Sequence, residues 1–442
     1  MNPLFAPAAI FLAASACGIG SSAGAGRTDS LTAGAPAVPV WLESHDQAQA
    51  AAKGSGQPML IEFQAPWCYS CYYMTANVLS KEPFAAAAQG LVLLKEDVDK
   101  EEGGALKAKY AVTALPSFVL VSPKGEVLGR IAGEQTEADF LVRLSSLLKG
   151  SLADPLAEAA ARLEQRLTAG ETEKAAKEVA KMPAERLKSL RARPAWRILE
   201  ARLGLARTLG RKAADDLRTL LELEGSCELA YDLMRGEKAV ASLPAPEQKV
   251  ILEAEQAALE KLTEGRLFVP VPQRCADFRS GVEALAEVYD KLGRTDRRAE
   301  LIKRAVTFLD GTGLKTGADR NHDDDRRFFL ELAGDDAGLR SFYGELSAAY
   351  PADYVYSYRY ARYLLGKGDP RGALERAEAA NRLAYGANRL AVTKVRAKAL
   401  IAQGRKDEAE ELLKRDIKAG KAFPDAVRSL QEVLDEAGGK KR

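Results

Sequence analysis

Two patterns of apolar and polar residues divide the chain. From Val40 to Gly150, short apolar runs alternate with stretches of helical spacing. Met59-Leu60-Ile61-Glu62-Phe63 has the length and character of a buried strand, and Leu91–Leu94 with Val98 reads as a second. Ser117–Val121 and Glu126–Ile131 read as two more, joined at Pro123-Lys124-Gly125, where Pro presets φ and Gly accepts a left-handed turn. Helices are predicted over His45–Lys53, from about Tyr69 to Leu79, over Glu101–Tyr110 and from about Glu137 to Leu148. Strands alternating with helices imply a sheet covered by helices, an α/β layer fold.

Past Gly150 the character changes. Ala, Leu, Glu, Lys and Arg dominate, and helical spacing is nearly continuous to Gly438. Ala361, Leu364, Gly368 and Ala373 are matched by Ala397, Leu400, Gly404 and Ala409, each 36 positions on. Small residues at such positions let paired helices approach closely, and a Gly can end the first helix of each pair. Leu163–Ala180 and Ala284–Val306 repeat the theme less faithfully, with Gly170 and Gly293 at the turns. The spacing resembles tetratricopeptide-type repeats with most consensus aromatic positions missing. Residues 151–435 are therefore predicted as an all-α solenoid of degenerate repeats, interrupted over Arg266–Phe278; an irregular helical bundle is the alternative.

The two ends differ from both parts. Pro3–Ala16 is an apolar run too short to span a bilayer but suited to a signal peptide. Ala14-Ser15-Ala16-Cys17 resembles a bacterial lipobox, which would make Cys17 a lipidated first residue, although no Lys or Arg precedes the run. Simple cleavage near Ser21–Gly26 is the other reading. Residues 18–39, rich in Gly, Ala, Ser and Pro, read as a flexible linker, and 436–442 as a disordered basic tail. No later stretch is long and apolar enough for a transmembrane helix. With 64 basic and 62 acidic residues the net charge is only +2, which argues against a nucleic-acid surface. Most of these charges are expected on solvated helix faces.

Five Cys are present. Without Cys17, four remain, an even number that permits full pairing in an exported chain. Cys68 and Cys71 form one natural pair. Cys227 and Cys275 are then either a structural bridge or two separate buried thiols. Cys68-Tyr69-Ser70-Cys71 follows a strand and opens a helix. Helix N-terminal N–H groups stabilise an anion, so Cys68 is the candidate thiolate. Cys71 lies nearly one turn on, within reach to close a disulfide.

Four companions strengthen the motif. Trp67 precedes Cys68; Glu62 lies six positions ahead of it on the strand; Leu115-Pro116-Ser117 precedes a later strand; and a Gly-containing turn separates the last two strands. Together they resemble the thioredoxin family, in the form of the C-terminal domain of DsbD-type thiol:disulfide interchange proteins, over about residues 40–150. The resemblance implies a thioredoxin fold with Cys68 as attacking thiolate and Cys71 as resolving thiol. It implies that Glu62 is a buried acid moving the Cys71 proton, with Lys95 near it, and that Pro116 is a cis-proline. Leu115 would pair its backbone with a substrate strand, with Trp67 and Tyr69 also facing substrate. Tyr69, Tyr72 and Tyr73 would form either a substrate rim or packing. Tyr69-Ser70 stands where the family often has Gly-Pro, so reductant and oxidant directions both stay open.

The chemistry needs two sulfurs and no cofactor. No second C-x-x-C or nearby His completes a metal site, and His45 and His322 belong to no recognisable triad. Asp319-x-Asn321-x-Asp323-x-Asp325 resembles a calcium loop but has Asp324 at the sixth position and Leu330 at the twelfth; it reads as a polar loop capping a helix that begins near Arg326. The expected function is an exported, periplasmic or lipid-anchored thiol–disulfide oxidoreductase acting on protein disulfides. It would be served by a membrane redox partner, with helical repeats recruiting clients. The alternative is an envelope scaffold in which the thioredoxin-like unit is mainly a binding module.

Overall fold

The computed structural model describes residues 39–149, 154–270 and 273–438. The expectations placed on residues 1–38, Cys17 among them, and on the last four residues lie outside the described residues.

Strand β2 (Met59–Gln64) has apolar side chains on both faces, as a central strand requires. Met59, Ile61 and Phe63 face Ala48, Ala52, Leu94 and Leu106, while Leu60 joins Met74, Val78, Phe84, Phe118 and Phe140 on the other side. Around it lie β1 (Trp41–Leu42), β3 (Val92–Asp97), β4 (Ser117–Val121) and β5 (Val127–Ala132), in the order β1-β3-β2-β4-β5. β1, β3 and β2 run parallel; β4 and β5 are antiparallel to their neighbours. Helices α1 (His45–Ser55), α2 (Tyr69–Met74), α3 (Glu82–Ala87), α4 (Glu101–Lys109) and α5 (Glu137–Lys149) accompany this mixed sheet.

The sheet departs from expectation in detail. β1 and α3 have too few residues to show a period in sequence. β3 extends through Lys95, Glu96 and Asp97, because ladder pairing with β2 continues after the apolar run has ended. The helix expected over Tyr69–Leu79 becomes α2 followed by a π turn at Thr75–Leu79.

The remainder is helical, from Pro155–Thr168 to Pro424–Ala437. The last helix thus enters the segment expected to be tail. Tyr354–Gly366 and Pro370–Asn381 turn at Gly368, and Gly386–Ala402 and Lys406–Ala419 turn at Gly404, with φ of 76° and 77°. Gly170 and Gly293 also take positive φ between helices. The interruption begins with a π turn at Thr263–Leu267 and ends where Phe278–Lys291 starts. Among the described residues no helix is long and apolar enough to cross a membrane.

Two expectations are corrected. The helix placed near Arg326 starts at Arg320, because the Asp319 carboxylate accepts the N–H groups of Asn321 and His322. Asp323, Asp324 and Asp325 therefore lie in its first turns and are buried, not loop ligands. Nor are the charges all on solvated faces. Asp324, 0% exposed, is ringed by Arg279, Arg327 and Arg359. Burial alone would raise its pKa, but the three guanidinium groups hold it well below the usual carboxylate range.

Candidate active site

β2 ends at Gln64, and a short loop carries the chain to Cys68, the N-cap of α2. The loop is tied by Cys68 N–H donating to Ala65 O at 3.1 Å. Cys71 N–H donates to Cys68 Sγ, also at 3.1 Å. The sulfurs of Cys68 and Cys71 are joined, with Cα atoms 5.2 Å apart. An amide N–H aimed at sulfur at a helix start favours the thiolate when the bond opens. Both residues are nearly covered, Cys68 at 5% exposure and Cys71 at 3%.

The Leu115–Pro116 bond is cis. Pro116 is buried, its carbonyl accepting from Gly133 N–H at 2.9 Å, and Leu115 packs against the apolar cluster that holds both cysteines. Trp67 stays 41% exposed while its Nε1–H donates to Asp99 at 2.7 Å.

Glu62 is fully buried on β2. Register sets it beside Lys95 of β3, whose Nζ lies 3.3 Å from Oε2, and neither carboxyl oxygen has a hydrogen bond. Burial raises its pKa, with Lys95 opposing. Burial favours the neutral form of such a carboxyl, which suits it to take up and release a proton.

A family model described as thioredoxin-like matches residues 40–123. Thioredoxin of Mycolicibacterium smegmatis is 35% identical over 95 residues, which is 22% of this chain and 82% of that protein. The chain belongs to the thioredoxin-like family. The thiol:disulfide interchange protein DsbD 2 of Pseudomonas aeruginosa is 37% identical over 100 residues, 22% of this chain and only 17% of that relative. A thioredoxin from Thermus thermophilus, solved in solution, shares 28% identity over 25% of this chain and 90% of its own, with a TM-score of 0.24.

What separates this thioredoxin-like site from its sequence expectation is the helical region lying against it. Tyr69, read as either substrate rim or packing, is packed. Its hydroxyl is 3.1 Å from Ser280 Oγ and 3.4 Å from Asp277, and Arg279 stacks over its ring at 4.3 Å. Asn321 donates to Tyr69 O at 3.2 Å, Arg359 to Trp67 O at 2.8 Å and Arg320 to Pro66 O at 3.5 Å. Arg320 also stacks on Tyr72, whose burial pushes its hydroxyl to about 12.

Glu134, next to the Pro116-bonded Gly133, is a site residue that sequence reasoning misses. Burial, Asp277 and Asp325 raise its pKa well above normal, with Ser70, between the two cysteines, opposing. Its only signal is adjacency to a turn glycine, since Asp277 and Asp325 lie over a hundred positions away.

The sulfurs of Cys227 and Cys275 are also joined, their Cα atoms 5.5 Å apart. They fasten the irregular stretch just before Asp277, which meets Tyr69. The two His are occupied elsewhere, His45 near Tyr110 at 3.4 Å and His322 near Leu309 O at 3.0 Å. Among the described residues no cluster of His, Cys, Asp and Glu is arranged to hold a metal. The disulfide chemistry of this family needs no cofactor.

Proposed function

We propose that this thioredoxin-like protein is a thiol–disulfide oxidoreductase. The observation that carries the reading is the Cys68–Cys71 bond at the start of α2, with Cys71 N–H on the Cys68 sulfur. In the reducing direction the Cys68 thiolate attacks a substrate disulfide. The substrate S–S bond breaks, one substrate sulfur leaves as thiolate, and a mixed disulfide forms. Cys71 gives its proton to Glu62 and attacks Cys68. The second substrate thiolate then leaves, two electrons have passed to the substrate, and a partner dithiol restores the pair.

Pro116 and Leu115 would present the substrate backbone beside the sulfurs, with Trp67 at the rim. The lipobox-like start supports export and a lipid anchor at Cys17, hence periplasmic or membrane-facing work. Similarity to a thiol:disulfide interchange protein supports protein disulfides as substrates and a membrane redox partner. Left-handed Gly368 and Gly404 at equivalent turns support a degenerate tetratricopeptide-like repeat. Because the helical region packs on the redox loop, its client-binding role is assigned to the approach to Cys68.

Cys71→Ala tests this directly. It should accumulate a mixed disulfide between Cys68 and its client, recoverable under non-reducing conditions, while Cys68→Ser accumulates none. Absence of any Cys68-dependent reduction of both an unstructured peptide disulfide and insulin would leave the envelope scaffold as the better account.

A further inference from the structure

This inference rests on the redox reading above and concerns the substrate class of the same site. The redox loop is held from outside its own domain. Three separate stretches of the helical region reach it: Asp277 to Ser280 at Tyr69, Arg320 and Asn321 at Pro66 and Tyr69, and Arg359 at Trp67. A fourth reaches the loop after β3, where Ala387 N–H donates to Asp99 O at 3.1 Å and Tyr385 donates to Asp97.

These contacts are anchored from behind. Arg320 pairs with Asp353, and Arg279 and Arg359 both pair with Asp324. Asp324 is completely buried, so Arg279 and Arg359 cannot leave it without stranding its charge. Beside the motif Trp67 stays exposed, and Thr113 and Ala114 are exposed just ahead of cis-Pro116 and of half-buried Leu115, which packs with the two cysteines.

We infer that the helical region is a fixed wall of the redox site that admits cysteines only on slim, extended segments and excludes disulfides embedded in folded surfaces. A backbone laid along Leu115 fits by strand pairing. A folded protein brings bulk on both sides of its disulfide and meets the wall that carries Arg320, Asn321 and Arg359. These wall residues determine specificity by excluding the wrong shape, without touching the reacting sulfurs.

The test uses the full chain and two probes, an unstructured decapeptide carrying one glutathione mixed disulfide and native insulin. The wild type should reduce the peptide with a kcat/KM at least tenfold above that for insulin. Arg320→Ala/Arg359→Ala should narrow that ratio at least threefold. If this variant does not fold, Asn321→Ala removes only one hydrogen bond and should narrow the ratio in the same direction.

Independently, the reduced wild type should be alkylated at Cys68 by iodoacetamide at least tenfold faster, relative to the unstructured reduced peptide, than by a 5-kDa polyethylene-glycol maleimide. Equal efficiency on both probes, an unchanged ratio in the folded variants, or no size dependence in alkylation overturns the wall. Loss of Cys68-dependent turnover on both probes overturns the redox reading instead, and the alkylation series still judges the wall.

Discussion

Replacing Glu62 with Leu should make the protein more stable at alkaline pH while slowing its chemistry. Glu62 is fully buried, both oxygens lack hydrogen bonds, and only Lys95, itself 29% exposed, stands 3.3 Å away. A buried polar group left without partners costs about 1–3 kcal/mol, and more when charged. A partly exposed ion pair returns at most about 1 kcal/mol. Removal of the carboxyl should therefore raise the unfolding free energy by about 1–2 kcal/mol at pH 8.

The pH dependence follows from the raised pKa. In the fold the neutral acid is favoured, so the stability it contributes is fully present below the ordinary Glu value and is lost as pH climbs through the raised one. The gain from Glu62→Leu is thus small at pH 4.5 and largest at pH 8. Urea unfolding at both pH values measures it. Turnover should fall about 100-fold, within the range of a lost general base. A stability gap equal at both pH values, or a variant weaker at pH 8, refutes the assignment of Glu62 as a buried, nearly unpartnered acid.

Other outcomes rest on separate parts of the molecule. Asp324→Asn leaves Arg279, Arg327 and Arg359 crowded without their shared anion and should cost about 3–5 kcal/mol, read by thermal melting. Cys227→Ser/Cys275→Ser opens a loop of 48 residues and should lower stability by about 4 kcal/mol in chain-entropy terms, read from urea midpoints. Peptide reduction should persist in that variant wherever it stays folded. Glu255, which burial raises to about 7, lowers stability as pH rises from 4.5 through 7. Glu255→Met should add about 3 kcal/mol at pH 8 and almost nothing at pH 4.5, measured by the same unfolding curves.

The amino-acid sequence alone determined the redox motif, its strand-then-helix setting and the α/β character of residues 40–150. These are local properties: apolar runs, turn residues and a C-x-x-C at a helix start act over a few neighbours. The closeness of Lys95 to Glu62 was implied by the thioredoxin resemblance, and the ladder register of the two strands is what brings them side by side. The turn glycines at 170, 293, 368 and 404 were legible for the same reason, since a left-handed backbone has few other tenants.

Only the tertiary structure decided what encloses the site. Arg320 meets Pro66 across 254 positions and Arg359 meets Trp67 across 292. No local period marks such partners, and on a helix an arginine bound for a buried carboxylate reads like one bound for water. The acidic run at 319–325 shows the same limit. Its spacing suggests a loop, but capping by Asp319 starts the helix early, and arginines from other helices make burial of Asp324 tolerable. Charge burial is settled by partners far along the chain, whereas the pattern of strands and helices is settled by neighbours.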